Sequence, residues 1–111
     1  MIPQVRPADW NDWVQAQPSR PVVLDVRVPW EMRTASLPQD DFDLLAIPMN
    51  EVPARLAELP QDRPIACLCH HGHRSQRVAL FLAQQGYRDV VNIAGGIAAW
   101  SRERDPGVPL Y

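Results

Sequence analysis

The chain has 111 residues, of which 46% are hydrophobic and 22% charged, and its formal net charge is −2. This size and composition predict one globular domain over residues 1–111, and the absence of a basic stripe excludes nucleic acid as an expected partner. The sequence has neither a secretory signal pattern nor an apolar run near the roughly 20 residues that cross a bilayer, so we expect a cytoplasmic protein with no membrane partner.

The first elements are separated by prolines, which interrupt helices and interior strands. Apolar residues at helical spacing predict a helix over residues 8–16, with Trp10 and Trp13 packing into the core from one face. An unbroken β-branched run at 22–26 predicts a strand that is buried on both faces. A short helix is expected at 29–33, with a proline in its first turn.

The rest of the chain continues this alternation of strands and helices. Asn50 is expected to cap a helix that runs to Leu59, with Pro53 in its first turn. The other predicted elements are strands at 42–47, 65–68 and 90–93, a helix from about Ser75 to a C-terminal Gly86, and a last helix after Gly95-Gly96 that contains Ile97 and Trp100. This order predicts an α/β domain around a parallel sheet, in which ligands bind beyond the carboxyl ends of the strands.

All three histidines of the chain, one of its two cysteines and an arginine lie between Cys69 and Ser75. This Cys69 loop leaves a predicted strand and enters a predicted helix, whose first turn has unpaired backbone N–H groups and partial positive charge. These donors, with Arg74 and the imidazoles, would stabilise a thiolate at Cys69 and hold an anionic substrate or a persulfide. Gly72 would let the loop turn tightly and bring its backbone close to the ligand.

Other interpretations of the two cysteines remain open. Cysteine and histidine also bind zinc, but ligands this close in sequence do not easily converge on one ion, and there is no second ligand pair. We therefore predict no metal and no cofactor. Cys69 could instead be a structural strand cysteine. The Cα atom of Cys67 would lie about 6.6 Å from that of Cys69 on the same strand face, which is near the outer limit for a disulfide. We therefore expect no bridge and a reducing compartment for the protein. Cys67 is expected to pack as a small buried hydrophobic residue, and a resolving or relay thiol is the alternative.

Three separated segments resemble the signatures of single-domain rhodaneses, which are thiosulfate sulfurtransferase-type proteins. They are Leu24-Asp25-Val26-Arg27 with Pro29-Trp30-Glu31, the Cys69 loop with its Cys-x-x-Gly-x-Arg-Ser form, and the stretch from Gly86-Tyr87 through Asn92-Ile93-Ala94-Gly95-Gly96-Ile97 to Trp100. The chain departs from the family at Ala35-Ser36-Leu37-Pro38, where members often have Gly-His-Ile-Pro. The resemblance covers almost the whole sequence.

This resemblance implies a rhodanese-like, three-layer fold with a five-stranded parallel sheet and helices on both faces. It implies that Cys69 is the catalytic nucleophile and carries a sulfane sulfur as a persulfide, from thiosulfate or another donor to a thiol or cyanide. The substrate-binding loop would comprise His70, His71, Gly72, His73, Arg74 and Ser75, with backbone N–H groups as the main donors. Asp25 and Arg27 are expected to support the loop through a buried ion pair or hydrogen-bond network.

Three alternative functions use the same scaffold. Cysteine-dependent phosphatases and arsenate reductases have Cys-x5-Arg loops, whereas Cys69 and Arg74 are spaced as Cys-x4-Arg, and the smaller ring of amides suits one sulfur atom better than a phosphate. A persulfide carrier for a protein donor or acceptor would use the same Cys69 but react poorly with thiosulfate. A non-catalytic binding module would not need the cysteine, glycine and arginine that this loop retains.

Overall fold

The computed structural model describes residues 1–38 and 40–111. Its strands are β1 (Gln4–Val5), β2 (Val22–Asp25), β3 (Asp43–Ala46), β4 (Ile65–Leu68) and β5 (Val90–Ile93). They form one sheet in the order β1-β5-β4-β2-β3, and all neighbouring strands are parallel. Every residue of β2, β4 and β5 is buried, because a parallel sheet is covered on both faces.

The helices are α1 (Trp10–Gln15), α2 (Pro29–Thr34), α3 (His73–Gln84) and α4 (Gly96–Glu103). A 3₁₀ turn, Pro7–Asp9, precedes α1. In the described parts of the chain, no helix combines the length and the apolar character needed to traverse a bilayer. The expected five-stranded parallel sheet with helices on both faces is confirmed.

The prediction of one helix from Asn50 to Leu59 is wrong. The structure has two 3₁₀ segments there, Met49–Glu51 and Pro53–Glu58, and Asn50 lies inside the first rather than at its cap. Pro53 has no N–H to donate to the Met49 carbonyl, and the backbone departs from helical geometry at Arg55, with a φ of −117° and a ψ of 20°. Each segment is therefore held by three-residue turns, such as Val52 N–H to the Met49 carbonyl at 3.3 Å.

The core has two parts, because successive strand residues point to opposite faces of the sheet. One face packs on α3, through Val78, Ala79 and Leu82. The other face packs on α1 and α4, where Trp10 is fully buried and its ring centroid lies 5.1 Å from that of Trp100. Trp10 also lies 5.0 Å from Trp13, which agrees with the predicted packing of the two indoles.

The strand register brings the candidate site to one edge of the sheet. Asp25 at the end of β2 pairs with Leu68 at the end of β4, and Asn92 in β5 pairs with Cys67. Because parallel strands end at the same edge, the Cys69 loop leaves β4 between the ends of β2 and β5.

Candidate active site

The sulfur of Cys69 faces hydrogen-bond donors from its own loop. Cys69 is only 1% exposed and lies one residue beyond β4. The backbone N–H of Gly72 lies 3.1 Å from Sγ and that of Ser75 lies 3.3 Å away, while the Ser75 hydroxyl oxygen is at 3.2 Å. Two N–H groups aimed at one sulfur favour a negative charge there.

The loop can turn this tightly because Gly72 has a left-handed backbone. Its φ is 99°, in a region that residues with a Cβ rarely adopt. Gly72 is also the residue before α3, so it directs the first turn of that helix toward Cys69. The sequence places α3 from about Ser75, and the structure begins it at His73.

The start of α4 holds the other side of the loop. The backbone N–H groups of Ile97 and Ala98 donate to the carbonyls of Cys69 and His70, at 2.9 and 3.1 Å. Gly96 has a φ of 64°, and a Cβ there would overlap both of those carbonyl oxygens. Only glycine therefore lets α4 approach the loop this closely.

We expect Gly96→Ala to lower the rate at which Cys69 reacts as a nucleophile by about tenfold or more and to destabilise the fold by about 2 to 4 kcal/mol. The methyl group would push the loop away from α4 and misalign the donors to Sγ. The matched control is Gly86→Ala, because Gly86 also has a positive φ, of 95°, but no atom lies within 4 Å of its Cβ position. Urea denaturation measures the stability and alkylation of Cys69 by iodoacetamide measures the reactivity. Equal losses in the two variants would contradict the role given to the close approach of α4 to the loop.

A small pocket opens above the cysteine. Its volume is about 120 Å³, and it is lined by Cys69, His70, His71, His73 and Arg74. We call it the Cys69 pocket. The structure thus brings together the side chains that the sequence placed in the loop, whereas Gly72 and Ser75 contribute through the N–H groups and the hydroxyl that face Sγ.

His70 is held in a stack of three rings. Its ring centroid lies 3.9 Å from that of Tyr111, with an angle of 5° between the planes, and 3.9 Å from that of His71, at 25°. Burial, and next the charge of His71, lower the pKa of His70. The neutral imidazole is therefore favoured, and His70 serves as a flat wall of the pocket more than as a source of charge.

Arg74 is paired with a carboxylate that the sequence analysis did not assign to the site. Its guanidinium donates to both carboxylate oxygens of Glu31, at 2.6 and 2.8 Å, and Glu31 has a side chain only 4% exposed. The hydrogen bonds from Arg74 hold the pKa of Glu31 at about 2 despite burial. Arg74 thus borders the pocket with part of its donor capacity already used, and backbone N–H groups remain the nearest donors to Sγ.

Tyr111 connects the pocket to the ion pair at the end of β2. Its hydroxyl donates to Glu31 Oε2 at 2.7 Å and accepts from Arg27 at 3.0 Å. Burial raises the pKa of Tyr111 to about 12, so the hydroxyl keeps the proton that it donates. The opposite charges of Glu31 and Arg74 were a signal for their pairing, but nothing in the sequence connects Tyr111, 80 residues further on, with Glu31.

Asp25 and Arg27 form the buried ion pair that was one of the two arrangements expected. Arg27 is 0% exposed, and its guanidinium donates to Asp25 at 2.7 and 2.9 Å. It also donates to the backbone carbonyls of Ala35 and Glu31, at 2.9 and 3.3 Å. These contacts tie the end of β2 to Glu31 in the first turn of α2 and to Ala35 directly after that helix. Support of the loop by this pair stays a prediction.

Cys67 lies outside the pocket. It is fully buried among apolar residues, and burial raises the pKa of its thiol. Both cysteines are unpaired. Over residues 1–38 and 40–111, no three His, Cys, Asp or Glu side chains are grouped so that they could hold a metal ion.

The fold and the cysteine loop together define a rhodanese-like domain. The family model described as "Rhodanese-like domain" matches residues 11–103. The chain therefore belongs to the rhodanese family, and its relatives include proteins named as sulfurtransferases.

Three similar proteins illustrate this. A protein named sulfurtransferase from Allochromatium vinosum is 38% identical over 89 residues, which cover 80% of this chain and 77% of that protein. The "Adenylyltransferase and sulfurtransferase uba4" of Ogataea parapolymorpha is 30% identical over 82% of this chain, which spans only 23% of that longer protein. The crystal structure of a rhodanese-related protein from Thermoplasma volcanium superposes with a TM-score of 0.77 at 31% identity, covering 98% of this chain and 99% of that one.

Proposed function

We propose that this protein is a sulfurtransferase that moves a sulfane sulfur from thiosulfate or a related donor to a thiol or cyanide, as a persulfide on Cys69. The observation that carries the proposal is the pair of backbone N–H groups, from Gly72 and Ser75, that face Sγ at 3.1 and 3.3 Å. They stabilise the thiolate that attacks and are near enough to stabilise the persulfide anion that follows.

The reaction has two half-reactions. The Cys69 thiolate attacks the outer sulfur of thiosulfate, a new S–S bond forms, and the S–S bond of the donor breaks with its electron pair leaving on sulfite. The acceptor thiolate or cyanide then attacks the outer sulfur of the Cys69 persulfide, and Cys69 departs as the thiolate. Electrons balance over the cycle, and no proton has to be removed by a histidine if Cys69 is already ionised.

The pocket supports sulfur chemistry over phosphate chemistry. Its volume of about 120 Å³ and the short Cys-x4-Arg spacing leave room for a small group on Sγ. The two N–H groups of Arg74 that contact Glu31 are not directed at a phosphate position. Both features disfavour a phosphatase or arsenate reductase.

A persulfide carrier for a protein partner is the second candidate, and the rim of the pocket favours it. Trp30 is 56% exposed, and its ring centroid lies 6.1 Å from that of Tyr111, whose ring stacks on His70. Leu110, next to Tyr111 in sequence, is 58% exposed. Exposed apolar side chains beside a reactive site are typical of a surface that receives another protein. Two unpaired cysteines fit a reducing compartment, so we propose a cytoplasmic location.

Intact-mass spectrometry without reductant tests this function. The protein is measured before and after incubation with thiosulfate, and in parallel with a persulfide-loaded cysteine desulfurase. A gain of one sulfur atom from thiosulfate that is absent in Cys69→Ser supports the sulfurtransferase. A gain only from the protein donor supports the carrier, and no gain from either donor contradicts both.

A further inference from the structure

A chain of buried polar side chains leads away from Cys69 to β5. Asn92 is 3% exposed, and its side-chain amide reaches across to the loop. Its Nδ2 donates to the Gly72 carbonyl at 3.1 Å and to Gln4 Oε1 at 2.9 Å, and its Oδ1 contacts Ser75 Oγ at 2.6 Å. The Ser75 oxygen in turn lies 3.2 Å from Cys69 Sγ.

The orientation of the Asn92 amide follows from its partners. A backbone carbonyl only accepts hydrogen bonds, so the Asn92 atom that faces Gly72 must be the NH₂ group. Gln4 agrees, because its own NH₂ group donates to the Ile2 carbonyl at 3.3 Å and its oxygen therefore faces Asn92. Asn92 consequently turns its oxygen to Ser75.

Ser75 has one hydroxyl hydrogen, and the orientation of the Asn92 amide determines where this hydrogen points. The hydrogen is donated to Asn92 Oδ1, so the hydroxyl presents a lone pair to Cys69. A lone pair can accept the S–H of a thiol, but it cannot donate to a thiolate unless the hydrogen leaves Asn92. Ser75 Oγ therefore acts against the two backbone N–H groups that favour the thiolate.

We propose that Asn92 is a positioning residue that acts through Ser75 to favour the thiol form of Cys69 and so restrains its reactivity. The inference concerns the nucleophile on which the proposed function rests. The backbone N–H groups of the loop thus promote ionisation of the Cys69 thiol, and the Asn92–Ser75 pair opposes it. The other charged or titratable groups around Cys69 stay in place in every variant used below: His70, His71, His73, Arg74, Glu31 through Arg74, and the Asp25–Arg27 pair at the end of β2. Cys67 is replaced by serine in all of these proteins alike, so it does not differ between them.

Alkylation by iodoacetamide measures this directly, since the thiolate is the form that reacts. We expect Asn92→Leu to react about tenfold faster than the parent protein near pH 6, the factor that one hydrogen bond to a charged sulfur produces. A Cys67→Ser background confines the reaction to Cys69. The matched control is Gln4→Met, which removes one partner of the same amide but leaves the Gly72 carbonyl to orient it, and its rate should stay within about twofold.

Ser75→Ala tests whether Asn92 acts on Cys69 through the Ser75 hydroxyl. It also keeps the inference testable if Asn92→Leu does not fold. If Ser75 presents a lone pair to sulfur, removing its hydroxyl speeds alkylation at low pH, whereas loss of a donor to the thiolate would slow it. In the Ser75→Ala background, Asn92→Leu should add nothing. Slower alkylation in Ser75→Ala, or the same acceleration by Asn92→Leu in both backgrounds, overturns the inference. Alkylation requires no sulfur donor, so this result is independent of whether the protein transfers sulfur.

Discussion

Cys69→Ser is expected to lower the conversion of thiosulfate and cyanide to thiocyanate by about a thousandfold or more, whereas Cys67→Ser is expected to retain most of it. A serine hydroxyl beside the Gly72 and Ser75 N–H groups is not ionised near neutral pH and cannot form a persulfide. Cys67 lies two residues before Cys69 and belongs to the same core cluster, but it is fully buried and does not line the Cys69 pocket.

The two variants control for each other, because both replace a buried sulfur by a hydroxyl in the same core cluster. Thiocyanate formation gives the activity, and thermal unfolding reports whether each variant is folded. Strong loss of activity in a folded Cys67→Ser protein would show that Cys67 takes part in sulfur relay. Full activity in Cys69→Ser would remove the nucleophile from the mechanism.

Asp25→Ala is expected to destabilise the protein by about 3 to 5 kcal/mol. The substitution leaves the Arg27 guanidinium, which is 0% exposed, without the carboxylate that accepts at 2.7 and 2.9 Å. A buried charge without its partner carries the full penalty of removal from water. Urea denaturation with the linear extrapolation gives the change in unfolding free energy.

Glu58→Ala is the control for this ion pair. Glu58 pairs with Arg55 through two hydrogen bonds, at 2.7 and 2.9 Å, but the Glu58 side chain is 46% exposed and the Arg55 side chain is 35% exposed. Water replaces the lost carboxylate there, so we expect a much smaller change than in Asp25→Ala. Similar changes in the two variants would mean that burial of the Asp25–Arg27 pair is not what makes it important.

The parts of the fold that could be predicted are those with a local signal. The strands of β2, β4 and β5 are short β-branched or apolar runs, and the sequence located β4 at residues 65–68, as observed. The Cys69 loop was visible because its chemistry is concentrated in seven consecutive residues. Gly86 and the Gly95-Gly96 pair marked the end of α3 and the start of α4.

The parts that could not be predicted depend on distant contacts or on weak local preferences. The two-residue strand β1 is too short to have a periodic pattern, and it exists because it pairs with β5. The residues at 49–58 have apolar spacing that an α-helix would also show, but Pro53 lacks an N–H and the backbone leaves helical geometry at Arg55. The contacts of Tyr111 with His70 and Glu31 arise only in the folded chain.

The surroundings of Cys69 also set when the protein becomes chemically competent during folding. Gln4 meets Asn92 across 88 positions of sequence, and Tyr111 meets Glu31 across 80. Closing such long segments costs chain entropy before their contacts are gained, so these pairings are expected to form late. A chain still emerging from a ribosome would therefore carry Cys69 without the stacked rings and polar partners that characterise it in the folded state. The reactivity of the Cys69 sulfur should accordingly report when the segments that contain Gln4 and Tyr111 pack against the rest of the domain, after the helices and strands have formed.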